Sequence, residues 1–203
     1  MKHIYQILVF SLLFMCSCQV EPLPSDNLPV NNQNNQSQDD SEDENECETL
    51  FAWGPDVTST CFLDDGFHRW GWTIGPLASG EYTFDLYAGA GQCDLEKGTL
   101  VGTLNVNYNE DEGTADVEFT MLEGYVLNET HLYIGNDPYP TSSNGQITVA
   151  PGQFPYQHEL DNTAHDSYTI EDLSGEIYII AHGVVCNDTD DDDDDDDGGG
   201  GAF

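Results

Sequence analysis

Two histidines and a carboxylate, His131, His182 and Glu129, form the donor set in this chain that suits zinc or another transition metal, if the strands that carry them are neighbours. Each histidine stands among core-type residues, Leu132-Tyr133-Ile134 in one case and Ala181-His182-Gly183-Val184 in the other. A buried, hydrogen-bonded imidazole is therefore the plainer expectation. Aromatic chemistry lies elsewhere. Trp70 and Trp72, two apart on one expected strand, project to the same side, and with Trp53, Tyr139 and Tyr156 they would make a stacking platform for sugar rings. Tryptophan in a small β domain is more often core. Tyr139, in the loop Asn136-Asp137-Pro138-Tyr139-Pro140, is the expected exposed member.

Oxygen donors are abundant but poorly organised. Asn107, Asn109 and Asp111 alternate as in a calcium loop, yet the glycine falls at Gly113 instead of directly after Asp111, which breaks the EF-hand spacing. Asp64-Asp65 before Gly66 reads as a turn. The run from Asp190 to Asp197, beginning Asp190, Asp191, Asp192, Asp193, offers only weak, multivalent binding of Ca²⁺, because a tight site needs six to eight oxygens held in place. No cofactor is required by any motif. Catalytic signatures are missing too: there is no GxSxG elbow and no phosphate loop followed by lysine, and His158-Glu159 lacks the second histidine of a zinc-protease helix. Paired carboxylates carry no information in a chain this acidic. The expectation is a protein that is not an enzyme.

The compartment is read from the N-terminus. Lys2 and His3 precede an apolar run from Ile4 to Met15, shorter than the roughly 20 residues that span a bilayer. The chain turns polar directly after Cys18. This segment, residues 1–18, resembles a bacterial lipoprotein signal, and the resemblance implies acylation of a cysteine that becomes the new N-terminus. Cys18, preceded by Ser17, is the expected acceptor, and Cys16 is second choice. A signal cleaved without acylation is the alternative. Several acyl chains, at about 0.8 kcal/mol per buried CH₂, hold a protein stably to a membrane. The expected location is the cell envelope, at the outer membrane, facing either the surface or the periplasm.

The formal charge of −36 limits the partners. Beyond the leader only Arg69 and Lys97 are permanently cationic, so nucleic acid is not expected, since phosphate affinity comes from lysine and arginine. Glycans, matrix or protein surfaces remain, with cations bridging in some cases.

Four of the six cysteines, Cys47, Cys61, Cys93 and Cys186, lie beyond the leader. An even count in an exported chain reads as two disulfides, and no CxxC spacing supports a metal site. Three pairings are open. Position favours Cys47 with Cys186, which would clamp both ends of the globular region, and Cys61 with Cys93, which would tie an early loop to the turn after a strand.

Residues 19–46 contain almost nothing to bury and read as a disordered acidic and Asn/Gln-rich tether with a reach of roughly 30 Å. Residues 187–203 read as a disordered Asp/Gly tail. Between them, residues 47–186 carry short aromatic and β-branched runs broken by Gly, Pro, Asn and Asp. Alternation is clearest at Tyr82, Phe84 and Leu86 against Thr83 and Asp85. Further strands are expected over Leu100 to Tyr108, Thr114 to Met121, His131 to Gly135, Tyr168 to Ile170 and Ile177 to Val185. The last is apolar on both faces and therefore central, and 109–113 is a hairpin turn. The expected fold is all-β, a single antiparallel β-sandwich of immunoglobulin-like proportions, with a jelly roll as runner-up.

Several stretches of this region resemble a family of exported bacterial cell-surface and lipoprotein β domains. They are Arg69-Trp70-Gly71-Trp72-Thr73, Tyr82 through Cys93, Gly98 through Leu104, Glu129-Thr130-His131-Leu132-Tyr133-Ile134-Gly135, Pro151-Gly152-Gln153-Phe154-Pro155-Tyr156 and Ile177-Tyr178-Ile179-Ile180-Ala181-His182. The resemblance implies a compact extracellular β domain and carries no activity with it. A non-catalytic binding or adhesion module is the resulting functional expectation. The alternative is a cation-capturing or mineral-associating protein that acts through its acidic tail.

Overall fold

The computed structural model describes residues 47–54 and 59–188. The expectations for Cys18, the tether and Asp190, Asp191, Asp192 and Asp193 lie outside the described residues.

Among the described residues ten antiparallel strands build the fold: β1 (Cys47–Trp53), β2 (Ser59–Cys61), β3 (Trp72–Leu77), β4 (Gly80–Ala88), β5 (Thr99–Asn109), β6 (Thr114–Met121), β7 (Tyr125–Gly135), β8 (Tyr156–Thr163), β9 (His165–Ile170) and β10 (Ile177–Asn187). The fold is all-β. The only helical pieces among the described residues are two short 3-10 turns, Gly91–Cys93 and Pro151–Gln153. The 109–113 turn forms as expected, with Asn109 Oδ1 accepting the Asp111 and Glu112 amides at 3.1 and 3.3 Å. That carboxamide is occupied by its own turn, as an Asx turn requires, and is not arranged as a calcium ligand.

β10 is the centre of the sheet, in keeping with its apolar residues on both faces. β7 runs along one of its edges, while β3 covers the first half of the other edge and β1 the second half. The ladder continues β1–β4–β5–β6–β9 on one side and β7–β8 on the other. β8 and β9 are consecutive in the chain, joined through Ala164, yet they stand at opposite ends of this ladder. The sheet must therefore roll over until its two ends meet. Side chains close the seam. His158 Nδ1 lies 2.9 Å from Asp166 Oδ1, the His158 ring stacks on Tyr168 with centroids 4.3 Å apart, and Thr130 Oγ1 bonds both Asp166 and the Tyr168 hydroxyl. Burial pushes the Tyr168 phenol up to about 12, so it serves as a neutral hydrogen-bonding group.

Strand alternation sorts residues onto two sides. Leu50 and Ala52, Phe84, Leu86 and Ala88, Leu132 and Ile134, and Ile179 and Ala181 fill the inner core. Their neighbours Phe51, Tyr133 and Ile180 point the other way, into a second, aromatic cluster with Phe62, Trp72 and Phe154. On β7 the parity changes at Asn128, which is skipped in the pairing with both β10 and β8. This bulge lets Leu127 stay in the core while Glu129, His131 and Tyr133 take the opposite side from Leu132 and Ile134.

The disulfides reinforce this arrangement. Cys47 and Cys186 are bonded and stand directly opposite in the β1–β10 register, 4.1 Å apart at Cα. Cys61 and Cys93 are bonded and join the end of β2 to the 3-10 turn after β4.

Candidate functional site

The aromatic side of the sheet is covered by segments that leave the ladder, and between them lies a cleft of about 360 Å³. Its floor is Thr49 and Phe51 of β1 with His182 of β10. One wall is Leu63, His68, Arg69 and Trp70 from the β2–β3 connection, and Gln92 and Pro151 complete it. The Cys61–Cys93 bond ties the segment that bears Arg69 and Trp70 to the one that bears Gln92. Two walls made of connecting segments are thus fixed relative to each other by a covalent link.

Local sequence explains how Trp70 reaches this cleft. The connection turns tightly through 61–67, with the Asp64, Asp65 and Gly66 amides donating to Cys61, Phe62 and Leu63 carbonyls, and Phe62 is wholly buried as its anchor. Gly71 has φ +137°, and a Cβ there would stand 2.5 Å from Phe62 and 2.9 Å from Phe51. Only glycine fits, for reasons of both backbone and space. This corner separates the two tryptophans. Trp72 is buried as the first residue of β3, whereas Trp70 lies before the strand, half-buried. Trp70 is held edge-to-face against Phe51 and Trp72, at 5.1 and 5.9 Å between centroids. Gly71→Ala is expected to lower stability by about 2 kcal/mol or more, because overpacking and backbone strain add. A urea midpoint equal to that of the parent protein would contradict this.

The platform imagined from sequence is therefore divided. Trp70 and Trp72 do not share one strand face. Tyr139, expected to be exposed, is half-buried against Phe67 and Phe62 at 4.7 and 5.9 Å, and its hydroxyl donates to Asp65 Oδ2 at 2.6 Å. Burial and the Asp64–Asp65 charges raise its pKa above the ordinary tyrosine value. Tyr156 sits on β8 against the inner core, on the other side of the sheet. Trp53 packs on Tyr87, at 6.2 Å. Of the aromatic candidates, Trp70 is the one that lines the cleft.

His131 and His182 are brought together, since β7 and β10 are neighbours and the two are register partners. Their Nδ1 atoms are 3.1 Å apart, one donating and the other accepting. Glu129 approaches the far nitrogen of His131, Nε2, at 4.0 Å. The three donors do not converge on one point, and among the described residues no group of three or more His, Cys, Asp or Glu is placed to hold a metal. Burial lowers the His131 pKa, opposed by Glu129, and burial together with the charges of His131 and Arg69 brings His182 down to about 3. The pair is neutral at ordinary pH, a satisfied buried contact beneath the cleft. At the seam Asp166 stands between the Thr130 hydroxyl and the His158 imidazole, so the hydroxyl bonds the carboxylate and not the imidazole.

Phe51, His68, Arg69 and Gln92 escaped the sequence reading. The one available signal was the chain's single arginine standing beside a tryptophan. Compared with protein-family models, curated proteins and solved structures, the chain finds no match.

Proposed function

We propose that this chain is an exported, lipid-anchored envelope protein that presents a non-catalytic binding or adhesion domain, with the Trp70 cleft as its contact surface and a glycan as ligand. The observation that carries the reading is the covalently stapled cleft itself. An indole partly exposed in a concave site, oriented by Phe51 and Trp72, suits the apolar face of a sugar ring, and rigid walls reduce the ordering cost of binding. Two disulfides fit an oxidising compartment, and the leader's resemblance to lipoprotein signals supplies the anchor at Cys18.

Glycan-array binding by the full chain tests the site. Trp70→Ala is expected to lower affinity about five- to thirtyfold, since a lost aromatic contact removes on the order of 1–2 kcal/mol. Tyr156→Ala, on the other side of the sheet, should leave binding intact. Binding that survives Trp70→Ala would move the ligand away from this cleft. The anchor has a separate test. Cys18→Ser is expected to shift the protein from the membrane fraction to the soluble one, and unchanged membrane association would remove acylation at Cys18 from the reading.

A further inference from the structure

Arg69 stands out on charge grounds. The chain has 39 Asp and Glu against three Lys and Arg, so a cation here is surrounded by an excess of carboxylates. Lys97 is paired with Asp94 at 3.0 Å. Arg69, exposed in the cleft wall, has no carboxylate within ion-pair distance among the described residues. Asp65 on the same connection is instead engaged by the Tyr139 hydroxyl.

The cleft shares this character. Among the described residues no Asp or Glu lines it, and besides Arg69 its polar side chains are Thr49, His68, Gln92 and His182, three of which bring N–H groups. Other concavities of the same domain differ: one is lined by Glu48, another by Asp116 and Glu118, and a third by Glu129 and Glu159. In a protein of net charge −36, the described residues of this concavity set a guanidinium and an indole side by side with no carboxylate among them.

We propose that this cleft binds a carboxylate-bearing sugar, a uronic acid residue of an acidic glycan, with the Arg69 guanidinium taking the carboxylate through paired N–H···O bonds and Trp70 packing on the ring. The inference rests on the reading of the cleft as a glycan site and narrows its ligand. Arginine suits this task because its planar fork matches a carboxylate in two parallel bonds. The protein's overall negative charge opposes an anionic ligand, but distance decides the balance. The bound carboxylate would be in hydrogen-bond contact with Arg69, whereas charges more than about 8 Å away are largely screened at physiological ionic strength.

Titration calorimetry of the full chain with oligogalacturonate, oligomannuronate and heparosan fragments, each beside its carboxyl-reduced neutral counterpart, tests the proposal. At least one uronate is expected to bind at least about tenfold tighter than its reduced form. Arg69→Gln should abolish that preference while leaving the thermal midpoint unchanged, because the side chain is exposed. Arg69→Lys, which keeps charge without the fork, should retain only part of it. Dextran sulfate is the control for a general anion site. If reduced sugars bind as tightly as uronates, or dextran sulfate matches them, the carboxylate inference is overturned and the glycan module stands. If no sugar of either kind binds, and a neutral glycan array is also blank, both readings fall.

Discussion

Replacing Cys47 and Cys186 together by serine is expected to lower the free energy of unfolding by up to about 5 kcal/mol, the value chain-entropy reasoning gives for a loop of this length. The bond spans 139 residues and joins the first strand of the domain to the last. The folded state already holds the two Cα atoms opposite each other in the β1–β10 register, so the bond mainly restricts the unfolded chain. The Cys61–Cys93 bond closes 32 residues, and the same reasoning gives about 3–4 kcal/mol for it. The two losses should differ in kind. Without Cys47–Cys186 the urea midpoint drops, and the proposed glycan binding should persist at 25 °C wherever the protein remains folded. Without Cys61–Cys93 the proposed binding should suffer as well, because the cleft walls are no longer tied. Urea unfolding of both serine pairs, with the parent protein under reducing conditions, measures this, and a loss below 1 kcal/mol for the long loop would contradict it.

Acidification should destabilise the fold through His182. Its folded pKa, about 3, lies below the ordinary value of 6.5, and the residue is buried at 6% exposure. Between these values the unfolded chain binds a proton that the folded chain refuses. The stability is therefore complete above about pH 6.5 and is lost as pH falls toward 3. Linkage gives roughly 2 kcal/mol lost by pH 5 from this site. Burial is the main cause, and a proton on His182 would also face the His131 ring nitrogen at 3.1 Å and the charge of Arg69. Many carboxylates titrate over part of the same range and relieve their mutual repulsion, which works in the opposite direction. The comparison must therefore be differential. His182→Asn keeps a polar group at the Nδ1 position and removes the titration. The stability advantage of the parent protein over this variant should shrink by roughly 2 kcal/mol from pH 7.5 to pH 5. A constant difference across that range would place the His182 pKa near normal.

The strands that alternate strictly were legible residue by residue. Tyr82, Phe84 and Leu86 face the inner core as their spacing requires, Thr114–Met121 has the expected ends, and 177–185 is central because both its faces are apolar. β8 was not legible. Tyr156–Thr163 is almost entirely exposed or half-buried, an edge strand whose polar residues carry no periodic signal, and its place comes from pairing with β7. The extent of β7 was also hidden, because the bulge at Asn128 breaks the alternation that would have joined Tyr125–Leu127 to His131–Gly135. The separation of Trp70 from Trp72 had the same origin: spacing of two means one face only while the chain stays extended, and Gly71 turns it.

By itself the amino-acid order determined the all-β class, the principal strand faces and the central place of the last strand, because alternation and turn chemistry act between residues close along the chain. Tertiary structure decided which distant segments meet: which cysteine pairings form, that His131 and His182 bond each other beneath the sheet surface, and that Arg69 and Trp70 share a cleft with Phe51 and Gln92 and, among the described residues, no carboxylate. Those meetings depend on strand register and on connections that fold back over the sheet, and no local pattern encodes either.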